Sequence, residues 1–203
     1  MNRRQIDTFF RVLAEQLHEK ATILLTGAAA GAIWGHVRPS VDVDFAVHLR
    51  TREKKSWEKI EAAIQRTVRL TGIQANYAED IDRWGLITLL DYNRRTRPYR
   101  RFGLLQVRLL DPAYWSIGKM TRYLDPDVRD MVQVFKRQKV PAQRLVRLWG
   151  RALKKSPRSA ALFQFRRQVE DFLRSYGPAI WGKKFDAGKT IRRFHSAAGI
   201  TAP

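Results

Sequence analysis

The chain has 203 residues, 44% of them hydrophobic, enough for one compact domain or a small domain with an appended helical region. It carries 39 Lys+Arg against 19 Asp+Glu, a net charge of +20, and no cysteine, which excludes disulfides, cysteine-bound zinc and thiol nucleophiles together. No apolar run approaches the roughly 20 residues of a membrane span, and Met1–Asp7 lacks the pattern of a signal peptide, so a cytoplasmic location is expected.

In chain order, Ile6, Phe9, Phe10, Leu13 and Leu17 recur at helical spacing and predict an amphipathic helix over residues 4–19. A short buried strand follows at 22–26, then a small-residue helix from Ala28 to Trp34 whose alanines permit close packing on a sheet. The next strand starts near Val41 and ends at Leu49. Lys54–Leu70 is predicted helical, with Trp57, Ile60, Ile64 and Val68 on one face, and Gly72–Tyr77, Leu86–Leu90 and Leu104–Leu110 read as strands. From Pro112 onward the period is helical: Ala113–Arg122, Asp125–Gln138 with Asp125 as N-cap, a helix from Pro141 with Leu145, Leu148, Trp149 and Leu153 inward, and Ala160–Tyr176. Residues 183–203 read as a weakly held tail. The fold class expected is mixed α/β, with a catalytic domain over 1–111 and a basic helical region over 112–203.

Charge is unevenly spread. Residues 136–203 hold 17 Lys/Arg and 3 Asp/Glu, whereas residues 1–135 hold 22 and 16. Phosphate neutralisation by Lys and Arg dominates affinity for nucleic acids, so RNA is the expected polyanion, with a solvated Arg-rich surface as the alternative. Arg94, Arg95, Arg97, Arg100 and Arg101 lie among Tyr92 and Tyr99 in a predicted basic hairpin loop. Arginines interleaved with aromatics suit single-stranded RNA through phosphate contacts and stacking; a solvated hairpin tip is the competing reading.

One stretch carries the chemistry. In a strand, residues i and i+2 share a face, so Asp42 and Asp44 project together while Val41, Val43 and Phe45 face the other way. Paired carboxylates repel unless a cation sits between them, and oxygen-only ligands suit Mg²⁺ or Mn²⁺ better than zinc. Upstream, Gly27 turns the chain into a helix N-terminus, whose N–H groups can hold a phosphate. His48 ends the same strand on the Asp42/Asp44 face. The Gly27-x-x-x-Gly31 spacing is not a P-loop, the histidines show no zinc spacing, and the serines form no nucleophile elbow.

Leu25-Thr-Gly-Ala-Ala-Ala30, Gly35-His-Val-Arg-Pro-Ser40 and Asp42-Val-Asp44, in that order, resemble the nucleotidyltransferase superfamily of DNA polymerase β. The nearest likeness is to small bacterial nucleotidyltransferase-like proteins, including abortive-infection-type toxins. The likeness covers residues 20–50 well and 104–135 more loosely, through Leu110–Lys119 and Asp127-Val-Arg-Asp130. It implies transfer of a nucleoside monophosphate from NTP to an acceptor hydroxyl. Asp42 and Asp44 would hold two Mg²⁺ (or Mn²⁺) ions; Thr26, Gly27, Ala28, Arg38 and Ser40 would bind the NTP; Lys119 would lie near the triphosphate.

The chain departs from that pattern in two ways. Ala28 stands where the turn usually has Ser or Gly. The third carboxylate of many members is also missing where expected: Thr88 stands there, with Gln106 and Arg108 on the next strand, and Asp91 on the opposite face by parity. Asp91, Asp127 and Asp130 are the candidates to replace it. The acceptor expected is RNA, such as a tRNA 3′ end, and the toxin likeness implies an antitoxin partner. The alternatives are a catalytically degenerate RNA-binding protein and a transferase that modifies protein hydroxyls.

Overall fold

The computed structural model describes residues 1–35, 41–49, 54–79, 81, 83–84, 87–88 and 91–200. Two candidate NTP ligands, Arg38 and Ser40, lie outside the described residues, as does His36 beside them.

The first element is helix α1 (Arg3–Leu17), opened by a reciprocal cap in which Asn2 Oδ1 accepts the Gln5 N–H and Gln5 Oε1 accepts the Asn2 N–H. Strand β1 (Ala21–Leu25), helix α2 (Gly27–Trp34), strand β2 (Asp42–Leu49), helix α3 (Lys54–Thr71) and strand β3 (Gln74–Ala78) follow. A two-residue pair, β4 (Arg83–Trp84) and β5 (Ile87–Thr88), precedes a short 3₁₀ turn at Tyr92–Arg94. Strands β6 (Thr96–Phe102) and β7 (Leu105–Leu110) form a hairpin, and helices α4 (Pro112–Arg122), α5 (Asp125–Arg137), α6 (Ala142–Lys155), α7 (Ala160–Trp181) and α8 (Ala187–Ala198) complete the chain. The fold is mixed α/β, built on a five-stranded sheet. Among the described residues no helix is long and apolar enough to cross a membrane.

The strand order is β3-β2-β1-β7-β6. β1 is antiparallel to β2 and parallel to β7; β2 is parallel to β3; β6 and β7 are antiparallel. α1 packs its buried Phe9 and Phe10 against Phe45, and Tyr77 stacks on Phe45 from β3. One face of β2 is thereby sealed by aromatic side chains, so the alternate residues Asp42 and Asp44 belong to the other face.

The chain divides into two compact units, residues 1–81 with 95–110 and residues 82–94 with 111–203. The segment 82–94 thus goes with the helices. Ile87 is buried, and the Thr88 N–H donates to Ser156 Oγ at the end of α6. In this unit Trp149 packs with Phe135 and Phe172 and donates its indole N–H to Ser116 Oγ. Asp111 caps α4 through the Ala113 N–H and pairs with Arg144.

Several local expectations change. Residues 187–198 are not a loose tail but a helix that packs on α6, with Thr190, Ile191 and Phe194 buried. Gly150 makes the close approach possible, since a Cβ there would come within 2.6 Å of Ala197 Cβ. α7 runs on through Pro178 to Trp181, whose indole donates to the Val140 carbonyl. Asp125 is the first residue of α5 and Leu124 holds the cap position. The predicted basic loop is mostly a regular strand: Arg97, Arg100 and Arg101 sit on β6, at the sheet edge farthest from β3.

Candidate functional site

Strand β2 enters the sheet at Asp42, with Val43 and Phe45 buried and Asp42 and Asp44 half-exposed. The turn between β1 and α2 is fastened to it. The Thr26 N–H and hydroxyl both donate to the Asp44 carbonyl, at 2.9 and 3.2 Å. Gly27 then takes φ +57°, and a Cβ there would collide with the Asp44 carboxylate. Only glycine meets both demands: it adopts left-handed backbone without strain and leaves room for the carboxylate against the turn. Ala28 is buried in the first turn of α2, a position from which helix N–H groups have no intrahelical acceptor. The fold therefore brings Thr26, Gly27 and Ala28 together with Asp44, and Asp42 follows by strand parity.

A third residue completes the cluster, and sequence reasoning missed it. β3 runs parallel to β2 with Asn76 beside Asp44 and Gln74 beside Asp42. The Asn76 side-chain amide donates to Asp42 Oδ2 at 2.6 Å and to Asp44 Oδ1 at 3.3 Å. One NH₂ group thus spans both carboxylates. None of the positions considered for a third acid lies on β3. Thr88 lies in the helical unit, and Gln106 and Arg108 sit on β7, one strand beyond β1. Alternation of Asn76 with buried-side Ala75 and Tyr77 was readable in the sequence, but which strand lies beside β2 was not.

The donor set fits a hard cation. Two carboxylates and a neighbouring amide supply oxygen ligands, and Mg²⁺ usually takes one or two carboxylates while keeping several waters and substrate phosphates. A half-turn of the Asn76 amide presents Oδ1 in place of the NH₂ group. Among the described residues no group of three His, Cys, Asp or Glu is placed to hold a metal; Asp42 and Asp44 with the Asn76 amide are an oxygen-bearing set of two carboxylates and one amide that could hold one.

No protein-family model matches this chain, and neither does any curated protein or solved structure compared with it. The site rests on its own geometry.

Asp91 and Lys119 belong to the helical unit, whereas Asp42 and Asp44 belong to the sheet unit. Asp91 is exposed, with φ +48°, at the turn before the 3₁₀ segment. Lys119 is only 2% exposed and donates to Asp127 Oδ1 at 2.9 Å and Asp130 Oδ2 at 2.7 Å. Arg122 adds a two-pronged contact to Asp127, at 3.1 and 2.7 Å. Burial alone would push the Asp127 carboxyl up, but the hydrogen bonds from Arg122 and Lys119 outweigh it and hold it below the ordinary carboxylate range. Lys119, Asp127 and Asp130 therefore form a closed ionic cluster between α4 and α5.

The arginines also sort by engagement. Arg97 lies over the Trp34 ring at 5.5 Å, and Arg100 pairs with Asp7 at 2.7 Å. Tyr99 donates to Asp7 at 2.6 Å; burial, then that hydrogen bond, pushes its phenol up to about 12. Arg94 and Arg95 are exposed at the junction of the two units in sequence.

Proposed function

We propose that this chain is a metal-dependent nucleotidyltransferase that moves a nucleoside monophosphate from an NTP to an acceptor hydroxyl on RNA. The observation that carries the reading is the packing of the Gly27 turn against Asp44, with Asn76 bridging Asp44 to Asp42. A phosphate cradle and an oxygen-ligand cluster then share one strand junction. Asp42 and Asp44 would hold Mg²⁺ or Mn²⁺, with the Asn76 amide oxygen as a neutral ligand. When bound there, the metal would lower the acceptor hydroxyl's pKa and offset charge on the phosphates.

In this reading Thr26 and Gly27 hold the β1–α2 turn in register with β2, and the first turn of α2 receives the triphosphate on backbone N–H groups. Arg38 and Ser40 are proposed NTP ligands by resemblance. RNA as acceptor, with a tRNA 3′ end as one form, is supported by the net +20 charge. Action as a cytoplasmic toxin restrained by an antitoxin extends the same resemblance.

A second reading is favoured by Asn76 itself. A neutral amide where a third carboxylate would act as base fits a protein that binds RNA on this fold without transferring nucleotides. The two readings separate in one assay. The protein is incubated with each NTP labelled at the α-phosphate, Mg²⁺ and total bacterial RNA, beside an Asp42→Asn/Asp44→Asn variant. Label on RNA that is lost in the double variant supports transfer. Label on protein moves the acceptor to a side-chain hydroxyl, and RNA binding without label supports the binding protein.

A further inference from the structure

The face of the sheet that carries Asp42 and Asp44 has a second polar feature, at the other end of the same strands. Strand register places His48 beside Thr22, Thr22 beside Gln106, and Gln106 beside Arg101. One polar row therefore crosses β2, β1, β7 and β6. By alternation His48 shares the face of Asp42 and Asp44, four residues beyond Asp44, roughly 13 Å at ~3.3 Å per residue. With Lys20 the row lines a cleft of about 390 Å³, within the range of ligand sites. None of its described lining residues is acidic.

An irregularity in β6 is what brings Arg101 here. Between Pro98 and Arg100 the register shifts: Pro98 faces Arg108 while Arg100 faces Val107, leaving Tyr99 as the extra residue. In an unbroken ladder Arg101 would share the parity of Arg97, and Arg97 sits over Trp34. The extra residue reverses that parity. Arg100 turns to Asp7, and Arg101 turns to the row containing Gln106. Arg101 holds the Gly103 carbonyl through Nε at 2.9 Å, which leaves its two terminal NH₂ groups for a ligand.

We infer that this cleft holds a phosphodiester of the RNA acceptor strand. Lys20 and Arg101 supply charge, while the Thr22 hydroxyl and Gln106 amide donate hydrogen bonds that a phosphate oxygen accepts, and their oxygens can accept one from a ribose 2′-OH. A row four strands wide, about 14 Å at ~4.8 Å between neighbours, is longer than one phosphate needs and suits a chain of them. The acceptor role rests on the nucleotidyltransferase reading; the phosphate binding does not.

The test is a titration of a fluorescein-labelled oligouridylate across a salt series, with neither NTP nor divalent metal present. Each lost phosphate contact on a single strand lowers the slope of log K against log salt by about 0.7. The Lys20→Ala/Arg101→Ala variant is therefore expected to lower it by about 1.4 and to weaken binding roughly tenfold at low salt. Gln106→Glu, which keeps the size and adds a negative charge to the site, is expected to weaken binding in the same direction. Arg4→Ala/Arg11→Ala removes equal charge from exposed positions on α1. If that control loses as much as the cleft variant, or the cleft variant loses nothing, the site is overturned. Displacement of bound RNA by inorganic pyrophosphate only in proteins with an intact cleft supports it. Loss of pyrophosphate binding with RNA affinity unchanged overturns the RNA assignment. Because no NTP is present, failure of nucleotidyl transfer in the labelling assay leaves this result standing.

Discussion

Two pairs of aspartates in this protein have opposite fates. Asp127 and Asp130 lie three residues apart on a helix, almost fully buried, and close on Lys119, with Arg122 reinforcing Asp127. Asp42 and Asp44 lie two residues apart at the start of a strand, half-exposed, beneath a glycine turn and bridged by a neutral amide. The helical pair is paired with cations drawn from the chain, which makes it a structural clasp between α4 and α5. The strand pair stays half-exposed, with the Asp44 carboxylate packed against the glycine turn and both carboxylates hydrogen-bonded to the Asn76 amide. Carboxylate spacing alone does not separate the two; burial and the identity of the neighbour do.

The largest expected effect breaks the clasp. Lys119→Met takes the shared ammonium from two buried carboxylates, leaving Arg122 on Asp127, and is expected to cost about 3–5 kcal/mol, a large share of a typical domain's total stability, read as a fall in the urea midpoint. Loss of catalysis without loss of stability would instead move Lys119 to the site. Next comes the strand junction. Gly27→Ala imposes left-handed backbone on alanine, about 1–2 kcal/mol, and drives its Cβ into the Asp44 carboxylate. The expected outcome is a lower melting temperature together with loss of label transfer, whereas wild-type transfer would refute the proposed cradle.

A smaller effect distinguishes the amide. Asn76→Asp replaces hydrogen bonds to both aspartates with a third negative charge, at a cost of about 1 kcal/mol without divalent metal. Mg²⁺ is expected to restore the loss and to raise the melting temperature of the variant more than that of the wild type. An equal Mg²⁺ response in both would place position 76 outside any metal site. The smallest effect is pH. Asp127 has a depressed pKa in the folded state, so its contribution is present above the ordinary value near ~3.9 and is lost as pH falls through the folded value. Glu170, beside Arg166 and His195, follows the same sign. Asp127→Asn is expected to flatten the acid limb of the stability curve, measured by urea unfolding at successive pH values; an unchanged limb would exclude the clasp as its source.

Local pattern was legible for most elements. The spacing of Ile6, Phe9, Phe10, Leu13 and Leu17 identifies the face that α1 buries, and Leu145, Leu148, Trp149 and Leu153 do the same for α6. Alternation places Asp42 and Asp44 on one side of β2. Where periodicity was short or masked by charge, the reading failed. The stripe Thr190, Ile191, Phe194 is narrow among lysines and arginines, and α8 buries it against α6 where Gly150 permits a close approach. Residues 96–102 read as a loop because Arg and Pro dominate them, yet as an edge strand they need only one hydrogen-bonded neighbour, β7.

The sequence by itself determined the mixed α/β class, the glycine turn, the shared face of the two aspartates and the basic surplus, because each depends on residues within a few positions of one another. Tertiary structure alone decided that Asn76 spans the aspartates, that Lys119 is spent on Asp127 and Asp130, and that an extra residue at Tyr99 turns Arg101 toward Gln106. Those outcomes follow from strand order, ladder register and helix pairing. Each joins segments remote in the chain, and no local period encodes which segment becomes the neighbour.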